Sequence, residues 1–480
     1  MRRKLLRIGL IVGAVVLVFA AVLGAVVFAF WETFKYEPPA ADYPGPHSAL
    51  EAQRQDLDYF RRAMALDKSF SQSARAEAER RVALLLRLSQ ALPQQRLHVA
   101  LMQIMALADN GHTRLRASIP GKKVMMAPVR VARFADGFFV MRAQAPYRDM
   151  LGGRIERIDD TPFPQVLSQL ETLRGGTEAF RRENAAVFIA VQDLLYGLGI
   201  ARDPRQSIWT VRLPDGRLVV HPLVAEPDNE DILIPDGPRW RSPEPLRLMG
   251  NGWFSALPKR ATLPLSEKNM DAPFFRAWVP GSCVMYVRIE AIESRKGWDI
   301  QHFLADTEVE MKSHPPCAVI FDLRGDGGGD YTNMWYFTHR LPNLVKPAGR
   351  IGLLTDPGTF SAAITTTAFI KDAGDGKVTI IGEPVGDRLA FYAEGGRAGL
   401  PNSRFSVSYQ TGKHDYAHPC RDWYNCYWVN WIYPVRVKTL QPDIYVPARF
   451  SDWYAGHDRA FEDAMRLANN VQASRSQSPP

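Results

Sequence analysis

The sequence predicts an α/β protein, α+β when taken over its whole length, preceded by one transmembrane helix. Three observations predict it. Residues 8–31 carry no charged side chain. Residues 48–117 place apolar side chains at helical spacing. From Ala277 onward, apolar strand-like runs alternate with helical segments, which is the pattern of βαβ units around a buried, mostly parallel sheet. The chain of 480 residues has room for roughly two or three domains. With 46% hydrophobic and 23% charged residues it has enough apolar material for a core that needs neither metal nor disulfide.

The uncharged stretch 8–31 is long enough to cross a hydrocarbon layer of about 30 Å as a helix. Arg2, Arg3, Lys4 and Arg7 precede it and Glu32 follows it. The positive-inside rule therefore places the N-terminus in the cytoplasm and the rest of the chain on the periplasmic side of the inner membrane. Trp31 and Tyr36 suit an outer interfacial belt. A cleaved signal peptide expects an apolar region of about 7–15 residues and then a small-x-small site. The FAFW ending supplies neither, so residues 1–32 read as basic flank and uncleaved anchor. Part of the net charge of +8 sits in that flank. No other Lys/Arg tract and no nucleic-acid-binding signature is present, so nucleic acid is not an expected partner.

Residues 33–47 are Pro-rich and read as a linker lifting the soluble part off the membrane. Residues 48–120 form a helical segment in which AEAERRVALLLRLSQAL and LHVALMQIMALAD are two helices, the second ending near Asn110-Gly111. Residues 121–228 read as a small α+β module. Short strands come first, PFPQVLSQLETL is a helix, and a hairpin turns at Pro214-Asp215-Gly216. Residues 229–275 are an irregular connector rich in Pro and Trp. Residues 276–468 carry the alternating pattern, with SCVMYVRIEAI, CAVIFDLR, GRIGLLT and KVTIIGEPVG as strands. Residues 469–480 are a polar tail.

The four cysteines form no C-x-x-C pair, which argues against zinc. Cys283 and Cys317 sit in apolar runs and read as core residues of strands. Cys420 and Cys426 lie close together in CRDWYNC. They read as a local disulfide in an oxidising compartment or as two free thiols. The aromatic run DWYNCYWVNWIY (422–433) reads as a core strand with a neighbouring loop, or else as a pocket or partner surface.

Three segments carry chemistry. In FDLRGDGGGDYTN (321–333) a strand runs through a glycine-rich turn into a helix, a geometry that presents N–H groups to an anion or oxyanion. It lacks the endings of a phosphate loop. In LLTDPGTFSAAITTTAFIKD (353–372) a strand turns at Asp356-Pro357-Gly358 into a helix beginning near Ser361. That is where hydrolases hold nucleophiles, although the segment by itself reads as a helix cap by Ser361 or Thr359. In DNGHTRL (109–115), His112 follows a helix end. Alone it reads as a surface histidine, yet imidazole is the usual base for a serine at neutral pH.

Together these segments resemble the tail-specific and tricorn-core peptidases, the S41 family. The family's D-L-R-x-N-x-G-G is matched by Asp322-Leu323-Arg324-Gly325-Asp326-Gly327-Gly328. Its T-x-S-A is matched by Thr359-Phe360-Ser361-Ala362, its G-E-P by Gly382-Glu383-Pro384, its P-D-I/V by Pro442-Asp443-Ile444, and its D-x-H-[ST] by Gly111-His112-Thr113. The resemblance covers roughly residues 100–120 and 280–465. It implies a crotonase-like ββα-type core over 276–468 and a PDZ-like domain where the 121–228 module stands. It implies Ser361 as nucleophile, with Ala362 and Gly327 or Gly328 as oxyanion hole, a protein or peptide substrate, and no cofactor or metal.

Two departures bear on the base. Arg388 stands where C-terminal-processing members carry lysine, and a guanidinium stays protonated. The tricorn-like branch uses histidine instead, so the resemblance implies His112. That branch has a serine before its histidine, and this chain has Gly111. Asp109, Asp415 and Asp422 are the candidates for a supporting carboxylate. Ile364 stands where many members have glutamate. The expected function is a membrane-anchored serine peptidase, the alternative a non-catalytic relative that binds peptide or another ligand. A third reading, an anchored scaffold unrelated to peptidases, predicts a different sheet order.

Overall fold

The computed structural model describes residues 2–228, 237–257, 263–374 and 376–476. Stretches 229–236 and 258–262 of the expected connector, and the last four residues of the expected polar tail, lie outside the described residues.

Six strands form the central sheet, in the order Phe274–Trp278, Val284–Ile289, Ala318–Asp322, Arg350–Thr355, Val378–Gly382 and Ile444–Tyr445. The first pair is antiparallel and the other pairs are parallel. The strands read as unbroken apolar runs because both faces are covered. Met285, Val287 and Ile289 face a core shared with the helices Ile300–Ser313, Trp335–Leu344 and Ala362–Ala373. Their neighbours Val284 and Tyr286 face the other side, which Ala460, Ala464 and Ala468 of the helix Arg459–Ser476 close. Each fully buried aliphatic side chain here contributes about 1.5–3 kcal/mol before chain entropy is counted. The parallel strands all end on one edge, where ligands bind in open α/β sheets. Three loops leave that edge: 323–329, 356–361 and 383–388.

The N-terminal helices Ala49–Ala65 and Gln72–Leu86 begin at Ser48 and Ser71, whose hydroxyls accept the N–H of Glu51 and of Ala74. The helix Gln94–Ala106 follows. Residues 121–228 hold an antiparallel sheet built on Gly137–Gln144, Arg154–Ile158, Gln206–Arg212 and Leu218–Val224, with the helices Phe163–Glu171 and Glu178–Phe188. The Gln206–Arg212/Leu218–Val224 hairpin turns at Pro214-Asp215-Gly216. A strand from the connector, Trp253–Ser255, adds to the edge of this sheet.

A third sheet pairs Ala390–Gly399 with Ser406–Asp415, and Ser406–Asp415 with Arg114–Leu115. It stitches the N-terminal segment to the core and brings 109–115 to the edge where the parallel strands end.

Several expectations are corrected. Cys283 and Cys317 are not separate core thiols; they are disulfide-bonded. Val284 and Ala318 are in register on adjacent strands, so the residues before them are neighbours. Cys420 and Cys426, by contrast, form the local disulfide that was one of their two readings. Residues 422–433 form no core strand. They form a turn and the short helix Trp428–Trp431, with Trp423 and Tyr424 exposed. The aromatic side chains there pack on one another and on Phe30 and Phe34. The Pro-rich stretch 36–47 has no helix or strand, but it is fastened to the body. Tyr59 donates to the carbonyl of Pro39, and Gln55 to that of Pro44.

The first helix runs Arg2–Phe34. Its stretch Leu10–Phe34, of mean hydropathy 3.0, is long and apolar enough to cross a membrane.

Candidate active site

Ser361 sits at the mouth of the strand-to-helix turn with φ 56° and ψ −123°, and its side chain makes no capping bond to the helix Ala362–Ala373. The cap reading is thereby excluded. A non-glycine residue with this backbone costs on the order of 1–3 kcal/mol. The surroundings enforce it. Asp356 Oδ1 accepts the N–H of Gly325, Gly358 and Thr359 at 2.9, 2.9 and 3.1 Å. The Thr359 hydroxyl donates to the carbonyl of Leu323, and Phe360 N–H to that of Asp326. The two loops are thus one welded unit, and Thr359 belongs to the weld rather than to a cap.

Gly328 faces Ser361 across this unit. A Cβ on Gly328 would lie 2.6 Å from Ser361 Cβ and 2.9 Å from Ala362 N, at φ +104°. Only glycine fits. Gly328 N–H donates to Asp326 Oδ1 at 2.8 Å, which leaves Gly327 as the freer donor. The N–H groups of Gly327 and Ala362 have no acceptor among the described residues. Asp326 takes the asparagine position of the family pattern. Burial pushes its carboxyl well above the usual range.

His112 is positioned by its neighbours. Asn110 exchanges two hydrogen bonds with Tyr392, donating to its carbonyl and accepting its N–H. Thr113 donates to buried Asp67, and the His112 carbonyl accepts from Gln410. The imidazole stacks on Phe360 with ring centroids 4.3 Å apart, and on Phe391 at 5.4 Å. Its two ring nitrogens are buried and have no hydrogen-bond partner among the described residues. The ring is therefore brought beside the residue before Ser361 without a bond to the Ser361 hydroxyl. Burial, then the charges of Arg114, His414 and Arg174, hold its pKa well below the ordinary value, so it is neutral at physiological pH.

None of the three candidate carboxylates touches His112. Asp109, with φ 50°, is engaged by Arg388. Asp415 pairs with Lys413 and accepts the N–H of Ala417 and His418. Asp422 caps the 420–426 turn. The carboxylate next to the histidine loop is Asp387, whose Oδ2 accepts Gly111 N–H at 3.3 Å. It was missed because it belongs to no pattern; its signal is its place just after the G-E-P turn. Gly111 has no room for the branch's serine, since a Cβ would lie 2.7 Å from Phe360 Cε2. Arg388 is spent on the carbonyl and carboxylate of Asp109, and Ile364 is fully buried in the core.

The remaining motif residues are structural. Arg324 bridges Asp322 and Asp458. Although burial opposes it, Arg324 holds the Asp458 carboxyl down at about 2. Glu383 of the G-E-P turn pairs with buried Arg133 of the 121–228 module, which also binds Glu183 at 2.7 Å. Asp443 accepts Ile380 N–H and Lys371 Nζ, both at 2.8 Å.

A column of rings joins this site to the first helix. Phe34 meets Tyr427 at 5.4 Å, Tyr427 meets His414 at 5.5 Å, and His414 stacks on Phe391 at 5.0 Å; Phe391 then stacks on His112.

No family model matches the chain, and no curated protein matches it in sequence. Solved structures do match. Mature CPAF complexed with lactacystin superposes with a TM-score of 0.57 at 12% identity, over 88% of this chain and 98% of that one. A serine-to-alanine mutant of CPAF gives 0.58 at 12% identity, over 90% and 99%. The chain has the fold of an S41-type peptidase. The likeness covers 88–90% of this chain. The scaffold reading, which needed a different sheet order, is set aside.

Proposed function

We propose that the chain is a membrane-anchored serine peptidase that cleaves proteins or peptides through an acyl-enzyme on Ser361. The observation that carries this reading is the strained turn at Ser361 facing a glycine wall with two free N–H groups. A hydroxyl on such a turn is held away from helix capping and toward a substrate carbonyl. Attack by Ser361 Oγ forms the tetrahedral intermediate, and Ala362 N–H and Gly327 N–H, with Gly328 beside them, donate to its oxyanion. His112 takes the serine proton and returns it to the leaving amine, and water then releases the acyl group. The neutral state of His112 suits a base. Its stacking on Phe360 keeps the ring beside the turn that carries the serine.

The apolar helix and the basic residues before it support an anchor, with the soluble body on the periplasmic side of an inner membrane. The two disulfides support an oxidising compartment. The crotonase-like reading of the core and the PDZ-like reading of 121–228 belong to this proposal.

A second reading, a relative that binds peptide without cleaving it, draws on the absent Ser361–His112 bond and on Arg388 and Ile364. Labelling of the purified protein by a fluorophosphonate probe decides between them. Labelling lost in Ser361→Ala and in His112→Ala supports the peptidase. A folded wild type that stays unlabelled supports the binder.

A further inference from the structure

Four apolar side chains that neither the core nor the strand-end loops use lie on and beside the loop closed by the Cys420–Cys426 disulfide. Trp423, Tyr424 and Ile432 are 65%, 66% and 69% exposed, and Trp431 is 40% exposed. The rings hold one another in place. Trp423 meets Trp428 at 5.0 Å and Trp431 at 4.7 Å, and Trp428 lies nearly parallel to Trp431 at 6.1 Å. Trp428 Nε1 donates to the Trp423 carbonyl at 2.9 Å, and Trp431 Nε1 to the Cys420 carbonyl at 3.0 Å. A disulfide and two indole donors thus order rings that stay outside the core. An apolar patch held in place and left uncovered marks a surface that meets something else.

Its position says what covers it. Trp428 packs on Phe30 at 5.7 Å and on Phe34 at 5.6 Å, at the end of the first helix. Lys68 Nζ donates to the carbonyl of Thr33 at 3.1 Å and to that of Tyr424, so the helix end and the loop share one ammonium. At about 1.5 Å per residue, a helix that enters a hydrocarbon layer of about 30 Å at Leu10 leaves it near Phe30. The loop therefore meets the helix where the helix leaves the lipid. Lipid is the occupant that the helix itself brings to this patch.

The chemistry of the patch agrees. Tryptophan and tyrosine concentrate at membrane–water boundaries because each joins an apolar ring to one polar group. The Trp423 indole N–H and the Tyr424 hydroxyl have no hydrogen-bond partner among the described residues, which leaves both for headgroups and interfacial water. Arg421, Arg436 and Lys438 flank the aromatic run in sequence. All three are exposed, and none has a hydrogen-bond or ion-pair partner among the described residues. Cationic side chains beside a bilayer suit lipid phosphates.

We propose that Trp423, Tyr424, Trp431 and Ile432 form a second membrane contact, an aromatic foot seated in the headgroup–acyl boundary of the bilayer that the first helix crosses. Two points of attachment then fix the tilt of the body, which a single helix leaves free. The foot is independent of the peptidase chemistry and rests on the anchor reading above.

The test places the full-length protein in nanodiscs of phosphatidylcholine and phosphatidylglycerol and reads tryptophan emission. Bromine on a lipid quenches only the indoles it touches. One lipid set carries bromine near the headgroup end of the acyl chain, another near its tip. The expected result is stronger quenching by the headgroup-end set, in wild type and equally in Trp31→Phe, whose remaining lipid-facing indoles are those of the loop. Trp423→Phe and Trp431→Phe together should remove roughly half or more of the quenchable emission. Phenylalanine keeps a ring at each position, and circular dichroism checks that the fold survives. Trp31→Phe protein that the lipid does not quench, or quenching that the double variant does not reduce, overturns the foot. An unquenched loop in a protein that elutes as a dimer assigns the patch to a second copy and overturns it too. Carbonate extraction reads the anchor separately. Protein that stays in the membrane with an unquenched loop keeps the anchor and sinks the foot. Protein that carbonate releases, with a loop still quenched by vesicles of the same lipids, keeps the foot and sinks the anchor.

Discussion

The imidazole of His112 lies on the ring of Phe360, the residue before Ser361, with centroids 4.3 Å apart and planes 28° from parallel. Phe360 stacks on its other side against Phe180 at 4.2 Å. His112 and the turn that carries Ser361 are thus one packed unit. Phe360→Ala should cost about 3–5 kcal/mol in a denaturant titration. Phe360→Leu, which keeps most of the volume, should fold and yet label with fluorophosphonate far more slowly. Normal labelling of Phe360→Leu would show that the ring contact does not position His112.

Gly328 tests the oxyanion wall. Its absent Cβ would lie 2.6 Å from Ser361 Cβ. Gly328→Ala should lower the rate of Ser361 acylation by on the order of 10²-fold or more, because the added methyl group displaces Ser361 and the Ala362 N–H from the place where the oxyanion forms. Circular dichroism on the same sample checks that the fold survives.

Asp387 gives a pH dependence. Burial raises its carboxyl to about 6, partly opposed by the N–H groups of Arg388 and Gly111. The unfolded chain releases this proton near the ordinary value of about 4. Between those values the folded protein holds the extra proton, so this group's contribution to stability is full below about pH 4 and is lost as pH rises through about 6. Asp387→Asn should therefore raise stability above pH 6, by on the order of 2–3 kcal/mol, and leave it unchanged below pH 4. The labelling rate of Ser361 should rise through pH 6 in wild type as a carboxylate forms beside the histidine loop. An inflection that persists in Asp387→Asn would assign it to another group.

Arg133 ties the 121–228 module to the core through Glu183 and Glu383. Arg133→Met strands two buried carboxylates and should cost about 3–5 kcal/mol in thermal or denaturant unfolding. Adding Glu183→Gln and Glu383→Gln removes those charges and should recover much of the loss. A triple variant as weak as the single one would mean that packing, not charge, holds the junction.

The central sheet was legible because strands buried on both faces are uniformly apolar, and helices with one buried face keep their period. The order of motifs led to Ser361 and the glycine turn for the same reason: both lie on loops directly after such strands. The third sheet was not legible. Its strand Ala390–Gly399 contains three glycines and a residue at positive φ, Glu394, so no alternation survives. The Cys283–Cys317 bond depends on strand order, which a separation of 34 residues does not reveal. The aromatic run 422–433 looked like core because composition reports hydrophobicity and not exposure; its partners are the rings of the first helix.

The column of rings from Phe34 to His112 has a mechanical consequence. Phe34 is fully buried in the body, its carbonyl accepts from the Thr411 hydroxyl, and that of Lys35 accepts from Tyr409. The end of the first helix is thus packed, ring against ring, as far as the imidazole of His112. With that helix in a bilayer, as proposed, the serine works at a set altitude above the lipid. A substrate then qualifies by the height at which it offers its cleavable bond as well as by its sequence.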